Sequence, residues 1–206
     1  MAGTQITDTQ KPNTLKHRAV LALGSNLGES EDTLERAVAD LVAGGVQLMR
    51  ASGLYRTAPV GGPAGQPDFV NAVIEVTTDL GAYELLKLCN AVEAAHHRER
   101  LVRWGPRTLD IDVIDYDGVI SEDPVLTLPH PRAQERAFVL VPWAQMDPQA
   151  YLTVTRRAEP SGERPDEVPE PLSREVVNVA ELSRTVVEAD EDAISYMREM
   201  QVPDQP

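Results

Sequence analysis

Asp110 and Asp112 stand one residue apart in the run Leu109-Asp110-Ile111-Asp112-Val113. On a strand, alternate residues face opposite sides. Both carboxylates therefore share one face, while Leu109, Ile111 and Val113 share the other. Two close acids repel unless a cation sits between them. Few, hard oxygen ligands are what Mg²⁺ takes when substrate phosphates complete its shell. The plain alternative is a pair of solvated acids, and the motif alone does not choose between the two.

The segment just upstream carries the opposite charge. Arg98, Arg100, Arg103 and Arg107 crowd between His97 and Arg107, in a chain whose net charge is -14. Guanidinium forks match phosphate oxygens and offset charge spread over a transferring phosphoryl group. A basic cluster on an acidic protein suits a small polyanion better than nucleic acid. His130 and Arg136, flanking Pro129-His130-Pro131, could add donors. Phe69 and Asn71 lie on the non-core side of an expected strand, where they could stack on and hydrogen-bond a flat heterocycle. The alternative there is a small hydrophobic patch under a loop rich in Pro and Gly, Pro59 to Pro67.

The elements that must position these residues follow from periodicity and caps. Strands are expected at Arg18–Leu23, Val46–Thr57 with a possible bulge at Gly53, Phe69–Thr77 and Leu109–Tyr116. A helix capped by Ser30 runs to Gly44-Gly45, another spans about Ala82–Glu93, and Ala133–Met146 is helical if Pro142 falls in a first turn. Strand-helix-strand-strand-helix-strand predicts an α+β, ferredoxin-like fold, an antiparallel sheet with helices on one face. Residues 1–17 read as a flexible segment and 18–156 as the globular domain. Residues 157–206 read as an acidic, largely disordered tail, in which Val176–Leu182 and Ala193–Met200 could form short helices. From Ala158 onward there are thirteen acidic and four basic residues.

No apolar run is long enough for a membrane helix and no secretory leader is visible. A cytoplasmic protein is expected, its one cysteine, Cys89, a small buried hydrophobe. Gly24-Ser-Asn-Leu-Gly28 lacks the spacing and lysine of a P-loop, and there is no dinucleotide-type Gly-x-Gly-x-x-Gly.

Five ordered motifs resemble the 6-hydroxymethyl-7,8-dihydropterin pyrophosphokinase family. They are Leu23-Gly-Ser-Asn-Leu-Gly28, Tyr55-Arg-Thr-Ala-Pro59, Gln66-Pro-Asp-Phe-Val-Asn71, Arg103-Trp-Gly-Pro-Arg-Thr-Leu-Asp-Ile-Asp112, and Leu128-Pro-His-Pro-Arg132 with Arg136-Ala-Phe138. The resemblance runs from about Ala19 to Pro148. It implies diphosphate transfer from ATP to the pterin hydroxymethyl group, with release of AMP, in folate biosynthesis. It implies two Mg²⁺ ions on Asp110 and Asp112. Arg98, Arg107, His130 and Arg136 would contact the ATP phosphates, and Glu93 and Thr127 would lie near the nucleoside. Phe69 and Phe138 would sandwich the pterin, held further by Thr57 and Asn71, in a monomeric enzyme whose loops close over the substrates. Arg98 and Arg107 would serve catalysis, and Asp112 could accept the hydroxyl proton. The chain departs from the family pattern at His97-Arg98, where relatives often carry Gly-Arg, and at Phe69 and Pro131, where many carry tyrosine.

Two other classes remain open on the residues alone. A nucleotidyltransferase also combines Gly-Ser with Asp-x-Asp, though close together in sequence, and it would release pyrophosphate rather than AMP. A ferredoxin-like regulatory module would bind ligand without turnover.

Overall fold

The structure, a computed structural model, describes residues 16–59, 63, 65–96, 106–156, 173–189 and 194–203. Its elements in chain order are β1 (His17–Ser25), α1 (Ser30–Ala43), β2 (Val46–Ala51), β3 (Gly53–Thr57), β4 (Phe69–Thr78), α2 (Ala82–Ala95), β5 (Asp110–Tyr116), β6 (Ser121–Asp123) and β7 (Leu126–Leu128). They continue with a 3₁₀ turn (Ala133–Glu135), α3 (Ala137–Met146), β8 (Tyr151–Arg156), β9 (Ser173–Asn178), α4 (Val179–Ala189) and β10 (Ser195–Glu199). No helix among the described residues is long and apolar enough to cross a membrane.

The main sheet has the order β10-β3-β4-β1-β5, with β2 also paired to β4. All its pairings are antiparallel. The alternation along β4 and β5 is the expected one. Val70, Ala72, Ile74 and Val76 join Leu109, Ile111 and Val113 in a core under α1 and α2, which supply Leu34, Leu41, Leu85 and Cys89. Burial pushes the Cys89 thiol up to about 12, with Glu93 adding to the rise, so it stays a protonated, buried hydrophobe.

The opposite face of the sheet is covered too. Val20, Ala22, Val73 and Ile114 pack against Val139, Leu140 and Trp143 of α3, and against Leu152, Val154 and Val179. The ferredoxin-like unit thus keeps α1 and α2 on one face, and α3 with the C-terminal elements forms a second layer.

Several local expectations are corrected. Val46–Thr57 is two strands, broken at buried Ser52, whose hydroxyl accepts the Val73 N–H at 2.9 Å and donates to the Gly53 carbonyl at 2.8 Å. The register irregularity falls between Leu48 and Arg50, not at Gly53. Ser30 is the first helical residue rather than the cap. The cap position is Glu29, which makes no side-chain cap bond, and its carbonyl accepts the Thr33 N–H at 2.9 Å. Glu31 and Asp32 do occupy the first turn, where the helix dipole favours acids. Gly45 ends the helix region at φ 106°, a left-handed conformation that suits glycine. The helix starts only at Ala137, after a separate 3₁₀ turn, and Pro142 still lies inside it, beyond its first turn.

The largest departure concerns the expected tail. β9 pairs with β8, α4 packs on α3, and β10 joins the main sheet beside β3. Val179 and Met200 are buried, so this segment finds apolar partners despite its acidic composition. Ala193–Met200 is not a helix, since Ser195–Glu199 is a strand, and within Val176–Leu182 the helix starts at Val179. The proline-rich stretch from Glu159 to Pro171 lies outside the described residues.

Candidate active site

Asp110 and Asp112 point from β5 to the α3 side of the sheet, partly exposed, while Leu109, Ile111 and Val113 fill the core behind them. The neighbouring strand is small here. Gly24 pairs with Asp110 and Ala22 with Asp112, which leaves room above the carboxylates. A cavity of about 510 Å³ opens at this place, large enough for a small ligand.

Each acid already has a cation. Arg107 forms an ion pair with Asp110. The Arg136 Nη1 donates to Asp112 Oδ2 at 3.0 Å, and His130 Nε2 lies 3.8 Å from the same oxygen. Arg107 is placed by its backbone. Its N–H donates to Asn26 Oδ1 at 2.8 Å, and the Asn26 N–H donates back to the Arg107 carbonyl at 3.1 Å. The Asn26 amide also donates to the Pro67 carbonyl at 3.1 Å, tying the strand that precedes α1 to the chain just before β4. Burial holds the His130 imidazole below its ordinary pKa against the pull of Asp112, and Arg136 adds to the depression. Its Nδ1 accepts the Arg132 N–H at 3.2 Å, so the proton of the neutral ring sits on Nε2, toward Asp112.

A second part of the wall, its flat end, carries aromatic, amide and hydroxyl side chains. Thr57, Phe69, Asn71 and Phe138 line it. The Asn71 Nδ2 donates to Thr57 Oγ1 at 2.8 Å, across the β3–β4 pairing that sets Thr57 opposite Phe69. Glycine suits position 24. A Cβ on it would sit 3.0 Å from Asn71 Oδ1, so glycine lets the amide lie against β1. The Arg136 guanidinium stands 5.4 Å from the Phe138 ring centroid, a cation–π distance that links the two ends.

Eight of the expected site residues therefore gather around one cavity: Thr57, Phe69, Asn71, Arg107, Asp110, Asp112, Arg136 and Phe138. His130 adjoins it through Asp112. Glu93 and Thr127 do not line it. Glu93 is buried behind β5, where its Oε1 accepts the Ile111 N–H at 2.7 Å. The Thr127 hydroxyl donates to the Asp123 carbonyl at 3.0 Å within the β6–β7 hairpin. Arg98, with Arg100, Arg103 and Trp104, lies outside the described residues. Sequence reasoning missed the Asn26 clamp and the lining by Glu135 and Ile194. Asn26 was visible inside Gly24-Ser-Asn-Leu-Gly28, but nothing local says that it reaches a residue far along the chain. Gly24 and Asp110, distant in sequence, are register partners.

No cluster of three or more metal-type side chains occurs among the described residues. Two carboxylates on one strand do not by themselves enclose a cation, but they suit Mg²⁺ whose remaining ligands are phosphate oxygens and water.

Comparison with known proteins places the chain in a family. The family model for 7,8-dihydro-6-hydroxymethylpterin-pyrophosphokinase matches residues 20–148. The chain is 46% identical over 136 residues to the 2-amino-4-hydroxy-6-hydroxymethyldihydropteridine pyrophosphokinase of Methylorubrum extorquens, covering 66% of this chain and 85% of that one. It is 42% identical over 178 residues to the enzyme of the same name from Mycobacterium leprae, covering 81% and 90%. Its fold is similar to the solved Plasmodium falciparum HPPK-DHPS with pteroate, at a TM-score of 0.58 and 13% identity, covering 91% of this chain. The chain spans about half the length of that solved chain, 49%. The chain belongs to the 7,8-dihydro-6-hydroxymethylpterin-pyrophosphokinase family.

Proposed function

We propose that the cavity between β1, β4, β5 and α3 is where this chain carries out its family's reaction, moving a diphosphate group from ATP to the hydroxymethyl group of 6-hydroxymethyl-7,8-dihydropterin. One observation carries the assignment to this place. Paired carboxylates and arginines share a single cavity with a phenylalanine–asparagine–threonine wall. An ionic end beside a flat end is what a polyphosphate and a heterocycle need when they must meet.

The pterin lies between Phe69 and Phe138, its polar edge toward Asn71 and Thr57. The hydroxymethyl oxygen then faces Asp110 and Asp112. Its attack on the β-phosphorus of ATP forms the new P–O bond, the bond to the α-phosphate oxygen breaks, and AMP leaves. Arg107 and Arg136 stabilise charge on the moving group, an electrostatic rather than covalent contribution. Asp112 accepts the hydroxyl proton in this proposal. Bound at Asp110 and Asp112, two Mg²⁺ ions would supply charge neutralisation and alignment of the phosphates. As binding proceeds, both arginines exchange carboxylate for phosphate, a swap between equivalent charge-assisted bonds. Arg98 is part of this proposal as a further phosphate contact, as are a monomeric chain and a cytoplasmic location. His130, whose Nε2 lies 3.8 Å from Asp112 Oδ2, is a further phosphate contact in this proposal.

The test is product analysis with MgATP and 6-hydroxymethyl-7,8-dihydropterin. Stoichiometric AMP, absent when either substrate or Mg²⁺ is withheld, is the expected result. Free pyrophosphate in place of AMP would overturn it in favour of nucleotidyl transfer, and no turnover would leave a binding module.

A further inference from the structure

The family match ends at residue 148, yet a residue well beyond it reaches the cavity wall. Ile194, partly buried, lines the cavity with Thr57, Ala58 and Pro59. The placement follows from strand pairing. Ser195 is the register partner of Arg56 in the antiparallel β10–β3 pair, so Ile194, one residue earlier, stands at the level of Thr57.

β10 is held firmly enough to make that position meaningful. Arg198 crosses to α1, with Nε 2.8 Å from Glu31 Oε2 and Nη1 2.7 Å from Glu35 Oε1. The Gln201 N–H also donates to Glu35 Oε1, at 2.8 Å. The Tyr196 ring meets Tyr55 edge-on at 5.5 Å. Gly53 makes the close approach possible, since a Cβ there would come within 2.5 Å of Tyr196 Cε2. Isoleucine offers no donor or acceptor, so its contribution at the wall is apolar contact and lost volume. The strand register sets it level with Thr57, at the flat end.

We propose that Ile194 contacts the pterin, so that the C-terminal extension is part of the substrate pocket and sets its affinity for the heterocycle. The inference rests on the pterin reading of this cavity. Truncating a side chain in an apolar wall weakens a ligand by roughly tenfold per lost contact. Phosphates at the far end do not feel it.

The experiment titrates full-length wild type, Ile194→Val and Ile194→Ala with 6-hydroxymethyl-7,8-dihydropterin. A parallel titration uses a non-hydrolysable ATP analogue with Mg²⁺, and Tm is recorded for each protein. The expected result is pterin Kd raised about tenfold in Ile194→Ala and by less in Ile194→Val, with the nucleotide Kd unchanged. Unchanged pterin Kd in Ile194→Ala would overturn the proposal. So would parallel weakening of both ligands with a fall in Tm in both variants, which would make Ile194 a strut for β10. In either case a wild type that binds pterin and releases AMP leaves the functional reading standing. A wild type that binds no pterin overturns both.

Discussion

The two ends of the cavity are prepared differently for their ligands. At the flat end the polar groups are already set. Asn71 is fixed to Thr57, and Gly24 lets the amide lie against the sheet. At the ionic end the cations and anions of the site are paired with one another, Arg107 with Asp110 and Arg136 with Asp112. A neutral heterocycle can enter a preformed slot at little cost. Unpaired like charges could not wait there without raising the energy of the empty protein, so they pair internally and re-pair on binding. One end works by shape held in advance, the other by exchange of partners.

The strongest way to break that comparison is at the carboxylates. Asp110→Ala or Asp112→Ala leaves an arginine without its partner and removes a ligand for Mg²⁺. Losing a metal clamp forfeits several kcal/mol of transition-state stabilisation, so kcat should fall by about 10³ or more, with pterin affinity largely kept. Near-normal kcat at saturating Mg²⁺ in either variant would end the metal assignment.

Next in size is removal of the chain after Arg157. Composition alone suggests that such a protein would stay folded and active. The structure argues the reverse, because Val179 and Met200 are buried and β10 pairs with β3. Loss of β9, α4 and β10, with buried Val179, Ser183 and Met200, should cost at least roughly 3–5 kcal/mol in denaturant unfolding. The fraction that still folds should lose pterin binding before nucleotide binding. A truncated protein as stable as the full chain would show that the second layer contributes nothing.

Phe138→Ala sharpens the contrast from the other side. A stacked aromatic is worth roughly 1–3 kcal/mol per base by alanine substitution, so pterin Kd should rise tenfold or more while nucleotide Kd changes less. The change in nucleotide Kd is not zero, because Arg136 loses the ring beneath it. Equal weakening of both ligands in paired calorimetric titrations would assign Phe138 to the fold.

The smallest effect lies outside the cavity and serves as its control. Burial raises the carboxyl pKa of Asp115, against the opposing pull of the Gly118 N–H and of Arg18, whose Nη1 lies 3.7 Å away. A raised carboxylate means that the folded state takes up a proton more readily than the unfolded one, so the charged form costs stability at neutral pH. Asp115→Asn should therefore be more stable than wild type at pH 7, by under about 1 kcal/mol. The advantage should shrink as pH falls through the raised pKa, with kcat unaffected. A gain that grows on acidification would reverse the sign of the argument.

The ionic end was legible from sequence because strand alternation is a local rule. Asp110 and Asp112 share a face whatever else happens, and Leu109, Ile111 and Val113 must take the other. The flat end was half legible. Alternation placed Phe69 and Asn71 together, but Phe138 comes from another layer and entered only through family resemblance. Glu93 also entered only by that route, and no sequence rule foretells that its Oε1 accepts the Ile111 N–H.

The C-terminal layer was misread for a physical reason. Ile194, Met197 and Met200 fall three apart and imitate a helix face. β10 is an edge strand with a register shift between Tyr196 and Arg198, which breaks the period of two. The acidic and proline-rich stretch before β9 lowers the average hydropathy of the whole region. The apolar side chains that do pack, Val179 and Met200 with Val177, Leu182, Val186 and Met197 around them, are lost in it. Asn26 was missed because a clamp between residues distant in sequence leaves no local trace.

The position of β10 also has a meaning for synthesis. β3 is made early and its strand partner very late, after α4. At ordinary rates of chain elongation the interval is on the order of 10 seconds. Until β10 emerges, β3 has only β4 beside it, and the free amides and carbonyls on its outer edge invite pairing with other nascent chains. A cell that depends on this protein has reason to shield that edge with a holding chaperone, and polysomes crowded with its message are where aggregation should begin.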